Sequence, residues 1–182
     1  MSTLTQTQEA LPTGTWREDR VHSHVGFEIG YAGGIFKGSF SPFEAHLDVD
    51  ASGTAVLGGQ AQADSVHVLD ENLNAHLLAP DFFDAERTPL LSFESSTIHR
   101  AGNDVAIAGE LAIKGVSVPV ELTGTVGDPL PYGSDTQRFP LHLETTVDRR
   151  AFGIEWQMEL PNGEPALAYD VKLSADLYLV KE

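Results

Sequence analysis

The sequence predicts an all-β domain whose strands close into a barrel. Long stretches alternate between apolar and polar residues, as strands do when one face packs on a core and the other meets solvent. One short stretch near residues 70 to 79 has helical spacing, and no repeated alternation of strands and helices is visible. Glycines inside the runs favour coiled strands that close on themselves, although this pattern alone leaves a β-sandwich open.

The clearest strand is the last one, because every second residue from Leu167 to Leu179 is apolar. The same period of two occurs earlier, in residues 25–31, 105–113, 116–122 and 139–147. Lys114 and Gly115 separate two of these runs and predict a hairpin turn in which the glycine adopts a positive φ. Residues 101–103 predict a second hairpin turn. We therefore expect antiparallel strands joined by short turns.

The segment from residue 76 to 98 predicts a helix, a turn and a strand in succession. Leu73 and Leu77 lie one helical turn apart, and Pro89 prevents the chain from continuing as a helix. Phe82 and Phe83 are adjacent aromatic residues in the predicted turn between them. Since neighbouring residues do not face the same way, we expect one of them, Phe82, to reach the interior of the domain.

Length, charge and composition limit the possible functions. The chain has 182 residues and a formal net charge of −16, which disfavours nucleic acid and anionic lipid surfaces as partners. It contains no cysteine, which excludes disulfides, thiolate catalysis and zinc–thiolate sites. We predict a flexible tail over residues 1–14, a single domain over residues 15–182, and neither a signal peptide nor a membrane-spanning helix. A cytoplasmic protein is the simplest expectation.

Four groups of short segments follow one another in order along the chain. They are His22-Ser23-His24-Val25-Gly26-Phe27 with Gly38-Ser39-Phe40; His76-Leu77 with Pro80-Asp81-Phe82-Phe83-Asp84, Pro89, Phe93 and Ser95-Ser96-Thr97; Gly109-Glu110-Leu111-Ala112-Ile113-Lys114-Gly115-Val116 with Pro119-Val120; and Val147-Asp148-Arg149-Arg150-Ala151-Phe152-Gly153-Ile154. Together they resemble the signature of the YceI-like family, whose members are similar to lipocalins and bind polyisoprenoid-type lipids. The resemblance extends from Thr15 to Lys181.

The resemblance implies an eight-stranded, antiparallel, extended lipocalin-like β-barrel with a short helical cap around residues 70–86. It also implies a lumen that takes a long apolar amphiphile, such as a polyisoprenoid or an isoprenoid quinone. A barrel of about eight strands is just wide enough to be filled by side chains or to hold one small ligand. The residues that we predict to face this ligand are Phe27, Ile29, Phe36, Phe40, Phe82, Phe93, Leu111, Leu143, Phe152, Leu173 and Leu177.

Two positions depart from the pattern that is usual in the family. Leu73-Asn74 stands where an Arg-Asp pair is common, and Tyr31 stands where a histidine is common. Both differences remove charged or titratable groups. Any headgroup contact at the barrel mouth is therefore not carried over to this chain.

Other candidate chemistry has simpler explanations. His22 and His24 are two residues apart on a predicted strand, a spacing compatible with two metal ligands, but no third ligand is identifiable and we predict no metal or cofactor. The acidic residues Asp81, Asp84 and Glu86 are interpreted as helix caps rather than as a catalytic pair. Arg149 and Arg150 have three candidate partners: a ligand headgroup, Asp148 or a neighbouring subunit.

Three functional hypotheses follow. The first is binding, transport or storage of the lipid without catalysis and without stable membrane insertion, with a homodimer as a reasonable assembly. The second is an enzyme that acts on such a lipid in the same pocket, for which the candidate groups are His22, His24, Glu110 and Tyr169. The third is a filled barrel that serves as an interaction module. Motifs of hydrolases, nucleotide-binding enzymes and zinc proteases are missing from the sequence.

Overall fold

The computed structural model describes residues 9–182, and the first eight residues lie outside it. The described chain forms a sheet of 12 strands and one short helix, α1, over Glu71–Leu78. The strands are β1 (Gly14–Glu18), β2 (His24–Tyr31), β3 (Gly34–Phe40), β4 (Phe43–Val49), β5 (Ala55–Gln62), β6 (Val66–His67), β7 (Leu90–Ala101), β8 (Asp104–Ile113), β9 (Val116–Val126), β10 (Leu130–Pro131), β11 (Gln137–Asp148) and β12 (Leu167–Lys181). Short 3₁₀ turns occupy Ala63–Ser65 and Arg149–Phe152.

The strands close into an antiparallel barrel of eight, as predicted. Three pairs of short strands each act as one long, interrupted strand: β1 with β2, β3 with β4, and β5 with β6, because both members of a pair lie along the same neighbours. These three and β7, β8, β9, β11 and β12 pair in chain order, and β12 then pairs with β1 and β2 to close the ring. The small strand β10 lies outside the ring, against β11.

The predicted turns and strands agree with the structure. All five alternating runs form strands, and the two predicted hairpins connect β7 to β8 and β8 to β9. Lys114 and Gly115 both adopt positive φ, at 54° and 74°. The glycine is suited to this left-handed conformation, since it lacks a Cβ.

The two ends of the barrel differ. At one end, here called the cap end, lie α1, the β2–β3 hairpin and the β8–β9 hairpin; the opposite end is called the floor end. The largest cluster of buried apolar residues fills the floor end and includes Trp16, Leu47, Phe139 and Leu179. Leu11, which falls within the predicted tail, also belongs to this cluster. Two smaller clusters fill the cap end.

Residues 68–89 are an insertion between β6 and β7 that contains α1 and covers the cap end; this insertion is called the cap. Asp70 caps the N-terminus of α1, because its carboxylate accepts a hydrogen bond of 2.9 Å from the Leu73 amide. The helix ends at Leu78, and residues 79–88 follow as hydrogen-bonded turns. No helix formed by residues 9–182 has the length and hydropathy of a transmembrane segment.

The acidic residues of this turn do not cap a helix, and that interpretation was wrong. No helix begins at residues 80–88. The Asp81 carboxylate lies 3.1 Å from Nε2 of His76, and Asp84 adopts a positive φ of 50°. Asp84 is tolerated in this conformation because aspartate populates the left-handed region more readily than most residues.

Candidate ligand-binding site

A cavity of about 180 Å³ lies inside the barrel, between the floor cluster and the cap. All eight strands of the ring contribute to its wall. Apart from Thr145, the lining residues on the inner face of the barrel are apolar. They are Val25, Phe40, Phe43, Ala45, Leu57, Gly59, Ala61, Leu91, Phe93, Leu111, Ile113, Leu122, Leu143, Thr145, Leu173, Ala175 and Leu177.

The cavity exists because several small residues lie at the same height along the barrel axis. Ala45 pairs directly with Gly59 across β4 and β5, and Ala61 follows two residues later on the same face. On β12, Ala175 is at the same level as Val25 of β2. Larger side chains at these positions would fill the centre of the barrel, as they do at the floor end.

Several polar residues also border the cavity, but strand alternation turns their side chains outward. Gln60 donates a hydrogen bond of 2.8 Å to Glu44, and the Glu144 carboxylate lies 3.3 Å from Nζ of Lys172; both pairs are on the exposed side of the sheet. These residues therefore offer the cavity main-chain atoms that are already engaged in the sheet. Within the described chain, every buried side-chain nitrogen or oxygen has a hydrogen-bond partner.

The floor of the cavity is densely packed. Trp16 and Phe139 meet edge to face with ring centroids 4.7 Å apart, and they are 1% and 0% exposed. The indole Nε1 of Trp16 donates a hydrogen bond of 3.0 Å to the carbonyl of Pro12, which holds the ring in place. The barrel is closed to a ligand at this end.

Aromatic side chains form the ceiling of the cavity. Phe40, which lines the cavity, contacts Phe83 with centroids 5.7 Å apart and Phe27 with centroids 6.0 Å apart. Phe82 instead contacts His76 at 4.9 Å and Trp156 at 5.5 Å. The Phe83 ring thus contacts the wall residue Phe40, and both phenylalanines pack against the cluster that contains the wall residue Ile113.

The cap is attached to the barrel by a few hydrogen bonds. Nζ of Lys114, on the β8–β9 hairpin, donates to the Pro80 carbonyl at 2.5 Å and to the Gly153 carbonyl at 3.4 Å. Within the turn, the Thr88 hydroxyl shares its single proton between two acceptors, the carbonyl of Phe83 at 2.7 Å and that of Asp84 at 3.0 Å. These contacts link the cap to the neighbouring hairpin and to the segment that follows β11.

Arg149 holds the segment between β11 and β12, residues 149–166, in place. It is 3% exposed, and its guanidinium donates to the carbonyls of Ala168 at 2.8 Å, Ile154 at 2.9 Å and Trp156 at 2.7 Å. Burial lowers the pKa of the Arg149 guanidinium from its ordinary value. Arg150, by contrast, is exposed and pairs with Asp148 at 2.7 Å. Of the three partners predicted for this pair, Arg150 therefore has Asp148, while Arg149 has the main chain.

The structure distributes the predicted ligand contacts over three places. Phe40, Phe93, Leu111, Leu143, Leu173 and Leu177 line the cavity. Phe27, Ile29, Phe36 and Phe82 pack in the cluster above it at the cap end. Phe152 lies in the third cluster, with Ile113 and Ile154. Contact of these residues with a ligand stays a prediction.

Sequence reasoning missed other wall residues, including Val25, Phe43, Ala45, Leu57 and Gly59. Phe43, Ala45 and Leu47 alternate with polar residues on β4, and this short run is a signal that marks an inward face. The glycine carries no such signal. Its place in the wall follows from its register opposite Ala45.

The polar groups considered for catalysis lie away from the cavity wall. His22 is in the turn before β2 rather than on a strand, with Nδ1 2.7 Å from the Asp19 carboxylate. Glu110 is exposed on β8, and the Tyr169 ring lies beside the guanidinium groups of Arg149 and Arg150. His24 is exposed at the start of β2. Among residues 9–182, no group of three or more His, Asp or Glu side chains is arranged to hold a metal ion.

Comparison with known proteins gives a consistent picture. Residues 16–179 match the model of the YceI-like domain. The chain is 28% identical over 164 residues to a UPF0312 protein of Staphylococcus epidermidis, an alignment that covers 86% of this chain and 92% of that protein. A UPF0312 protein of Staphylococcus aureus is 26% identical over the same coverage.

Solved structures share the fold. BcnA of Burkholderia cenocepacia superposes with a TM-score of 0.72 at 24% identity, covering 91% of this chain and 99% of that one. The YceI protein of Campylobacter jejuni gives 0.68 at 20% identity, with 80% and 84% covered. A polyisoprenoid binding domain from Saccharophagus degradans, implicated in plant cell wall breakdown, gives 0.62 at 9% identity, with 94% and 100% covered.

Proposed function

The chain belongs to the YceI-like domain family, and on that premise we propose that it binds a long apolar amphiphile of the polyisoprenoid or isoprenoid-quinone type in its barrel, without catalysis. One observation carries the proposal: a closed barrel of eight strands holds an apolar cavity to which every strand contributes. The similar fold of a polyisoprenoid binding domain supports the choice of ligand class. The cavity also favours binding over a filled barrel that serves as an interaction module.

Hydrocarbon burial alone provides enough free energy for such binding. Each buried methylene contributes about 0.8 kcal/mol, so a five-carbon isoprene unit contributes roughly 4 kcal/mol before the cost of ordering the chain. Methyl branches find space beside Ala45, Gly59, Ala61 and Ala175. The inward side chains supply only one hydroxyl, that of Thr145, so the polar headgroup is expected to stay at the cap end.

The net charge bears on how the ligand is exchanged. At −16, the protein is repelled by anionic membrane surfaces, so we propose a cytoplasmic carrier or store that exchanges its ligand by brief collision rather than by stable docking. Tight, salt-independent binding to vesicles rich in anionic lipid would contradict this mode of exchange. A homodimer stays a prediction that sedimentation analysis tests.

The test uses protein purified without detergent, stripped of lipid by unfolding and solvent extraction, and refolded. Geranylgeraniol, a branched chain of four isoprene units, is the probe, and native mass spectrometry measures the bound fraction. We expect a one-to-one complex. Failure of the stripped and folded protein to bind geranylgeraniol or ubiquinone under any loading condition would exclude the proposed function.

Two leucine variants locate the binding site. Ala175→Leu places three more carbon atoms in the cavity and is expected to weaken binding about tenfold or more, equivalent to displacing about two methylenes. Ala106→Leu makes the same change on the outward face of β8, where Ala106 pairs with Thr123 and His99, and serves as the control. Equal affinities of the two variants would place the ligand elsewhere.

A further inference from the structure

We infer that the barrel is a blind tube that limits how much of an isoprenoid chain it takes up, with Trp16 and Phe139 as the stop. The inference rests on the proposed function and adds to it a selectivity for the length of the ligand. The tail enters at the cap end with its last isoprene units in the cavity, and units beyond the capacity of the tube stay outside the cap.

The floor end has the properties of a fixed stop. Trp16, Leu47, Phe139, Leu141 and Leu179 are each at most 1% exposed and come from four different strands. They form one cluster with the cavity residues Leu57 and Leu177, which pair directly with Leu47 and Leu141 and so mark the lower edge of the cavity. The strands that carry them are paired on both sides. Moving this layer requires separating strands of the closed ring, which is the most stable part of such a fold.

The cap end has the properties of an entrance. The residues above the cavity, among them Phe82, Phe83 and Trp156, are only half-buried and stand on turns or irregular chain rather than on the ring. The contacts of Lys114 with Pro80 and Gly153 join the cap to the barrel. Displacing the cap breaks such contacts but leaves the strand pairing of the ring intact.

Strand geometry sets the capacity of the tube. On β12 the cavity extends from Leu173 to Leu177, which is about 13 Å of strand and about 10 Å along the axis at a tilt of about 40°. An extended isoprene unit has four carbon–carbon bonds of about 1.5 Å and advances roughly 5 Å. The resting cavity thus holds about two units.

Opening the cap lengthens the tube. The inner face of β12 then continues up to Leu167. Because β12 has two more residues than β2 between the pairs of Leu167 and Val171, this is about 26 Å of strand above Leu177 and about 20 Å along the axis. This length accommodates about four units. Affinity should therefore rise with chain length up to about four units and then stay constant.

The experiment measures the affinity of the stripped, refolded protein for polyprenols of two, three, four, six and nine isoprene units, delivered in cyclodextrin. We expect gains of about tenfold or more per unit up to four units. The nine-unit chain should bind within about threefold of the six-unit chain. Ala175→Leu narrows the tube above its floor, so the affinity should stop rising at a shorter chain. Ala106→Leu should leave the chain length at which the affinity stops rising unchanged.

A deeper floor should have the opposite effect. Phe139→Leu opens space below the cavity and should move the plateau to a longer chain; Leu177→Ala, at the lower edge of the cavity, serves the same purpose if the first variant does not fold. Affinity that keeps rising to nine units, or a plateau that neither variant moves, would overturn the inference and leave lipid binding intact. Absence of binding at every length would overturn the proposed function itself.

Discussion

Replacing Arg149 by methionine should destabilise the protein far more than the same change at Arg150. Methionine keeps most of the length of the side chain but removes every hydrogen-bond donor. In the native structure the Arg149 guanidinium donates to the carbonyls of Ile154, Trp156 and Ala168 at 2.7–2.9 Å. The variant leaves these carbonyls without that donor.

The size of the effect follows from these contacts. A buried carbonyl that loses its partner costs about 1–3 kcal/mol, so three of them cost about 3–9 kcal/mol. Removing a buried charge returns part of this cost, because the desolvation that lowers the pKa of Arg149 is relieved. We expect a net loss of about 3–5 kcal/mol in the free energy of unfolding, which corresponds to a melting temperature lower by about 6–20 °C for a chain of this size.

The assay is urea and thermal unfolding of the wild-type protein and the two variants, followed by tryptophan fluorescence and circular dichroism. Hydrogen exchange of the amides in residues 153–168 reports whether this segment opens before the barrel unfolds. In Arg150→Met the lost partner is the exposed Asp148, so this control should unfold close to the wild type. Equal midpoints for the two variants would refute the role assigned to Arg149.

Three further predictions concern backbone packing, capping and pH. Gly124→Ala should destabilise the barrel strongly, because a Cβ there would lie 1.7 Å from the His142 carbonyl oxygen, whereas Gly34→Ala, with its nearest neighbour at 3.7 Å, should be tolerated; urea unfolding compares them. Asp70→Ala removes the carboxylate that accepts a hydrogen bond at the N-terminus of α1 and should cost about 1 kcal/mol of helix stability. The loss should be seen as faster hydrogen exchange in residues 71–78. The hydrogen bond to Asp176 raises the pKa of His142 above its ordinary value of 6.5, so the stability that this pair contributes is complete below that pH and is lost as the pH rises through the raised pKa. An NMR titration of His142 that is unchanged by Asp176→Asn would contradict the last prediction.

The strands that were predicted from alternation alone share one property. In β8, β9, β11 and β12 the inward residues are regularly spaced and, apart from Thr145 on β11, mostly apolar, so the period of two is preserved along each strand. β5 and β7 lack this signal for different reasons. Gly58 and Gly59 remove two side chains from β5, and the register of β7 shifts between Ser95 and Thr97, which interrupts the alternation.

The wall of the cavity could be predicted only in part. The size and spacing of bulky residues such as Phe93 and Leu143 indicate which face of their strand points inward. Ala45 and Gly59 create the space because they meet across β4 and β5, and their register depends on pairing between strands that no local pattern specifies. The cavity therefore forms only when the barrel closes, because its wall consists of the inner faces of all eight strands.

By itself, the sequence determined the antiparallel strands, the short helix over the cap and the family resemblance, because periodicity, turn residues and motifs act over a few neighbouring positions. It did not determine which of two adjacent arginines is buried or which aromatic rings each of two adjacent phenylalanines contacts. Only the tertiary structure assigned Arg149 to three main-chain carbonyls and Phe83 to Phe40. The physical reason is that burial and contact depend on groups distant in the chain, which meet when the barrel closes.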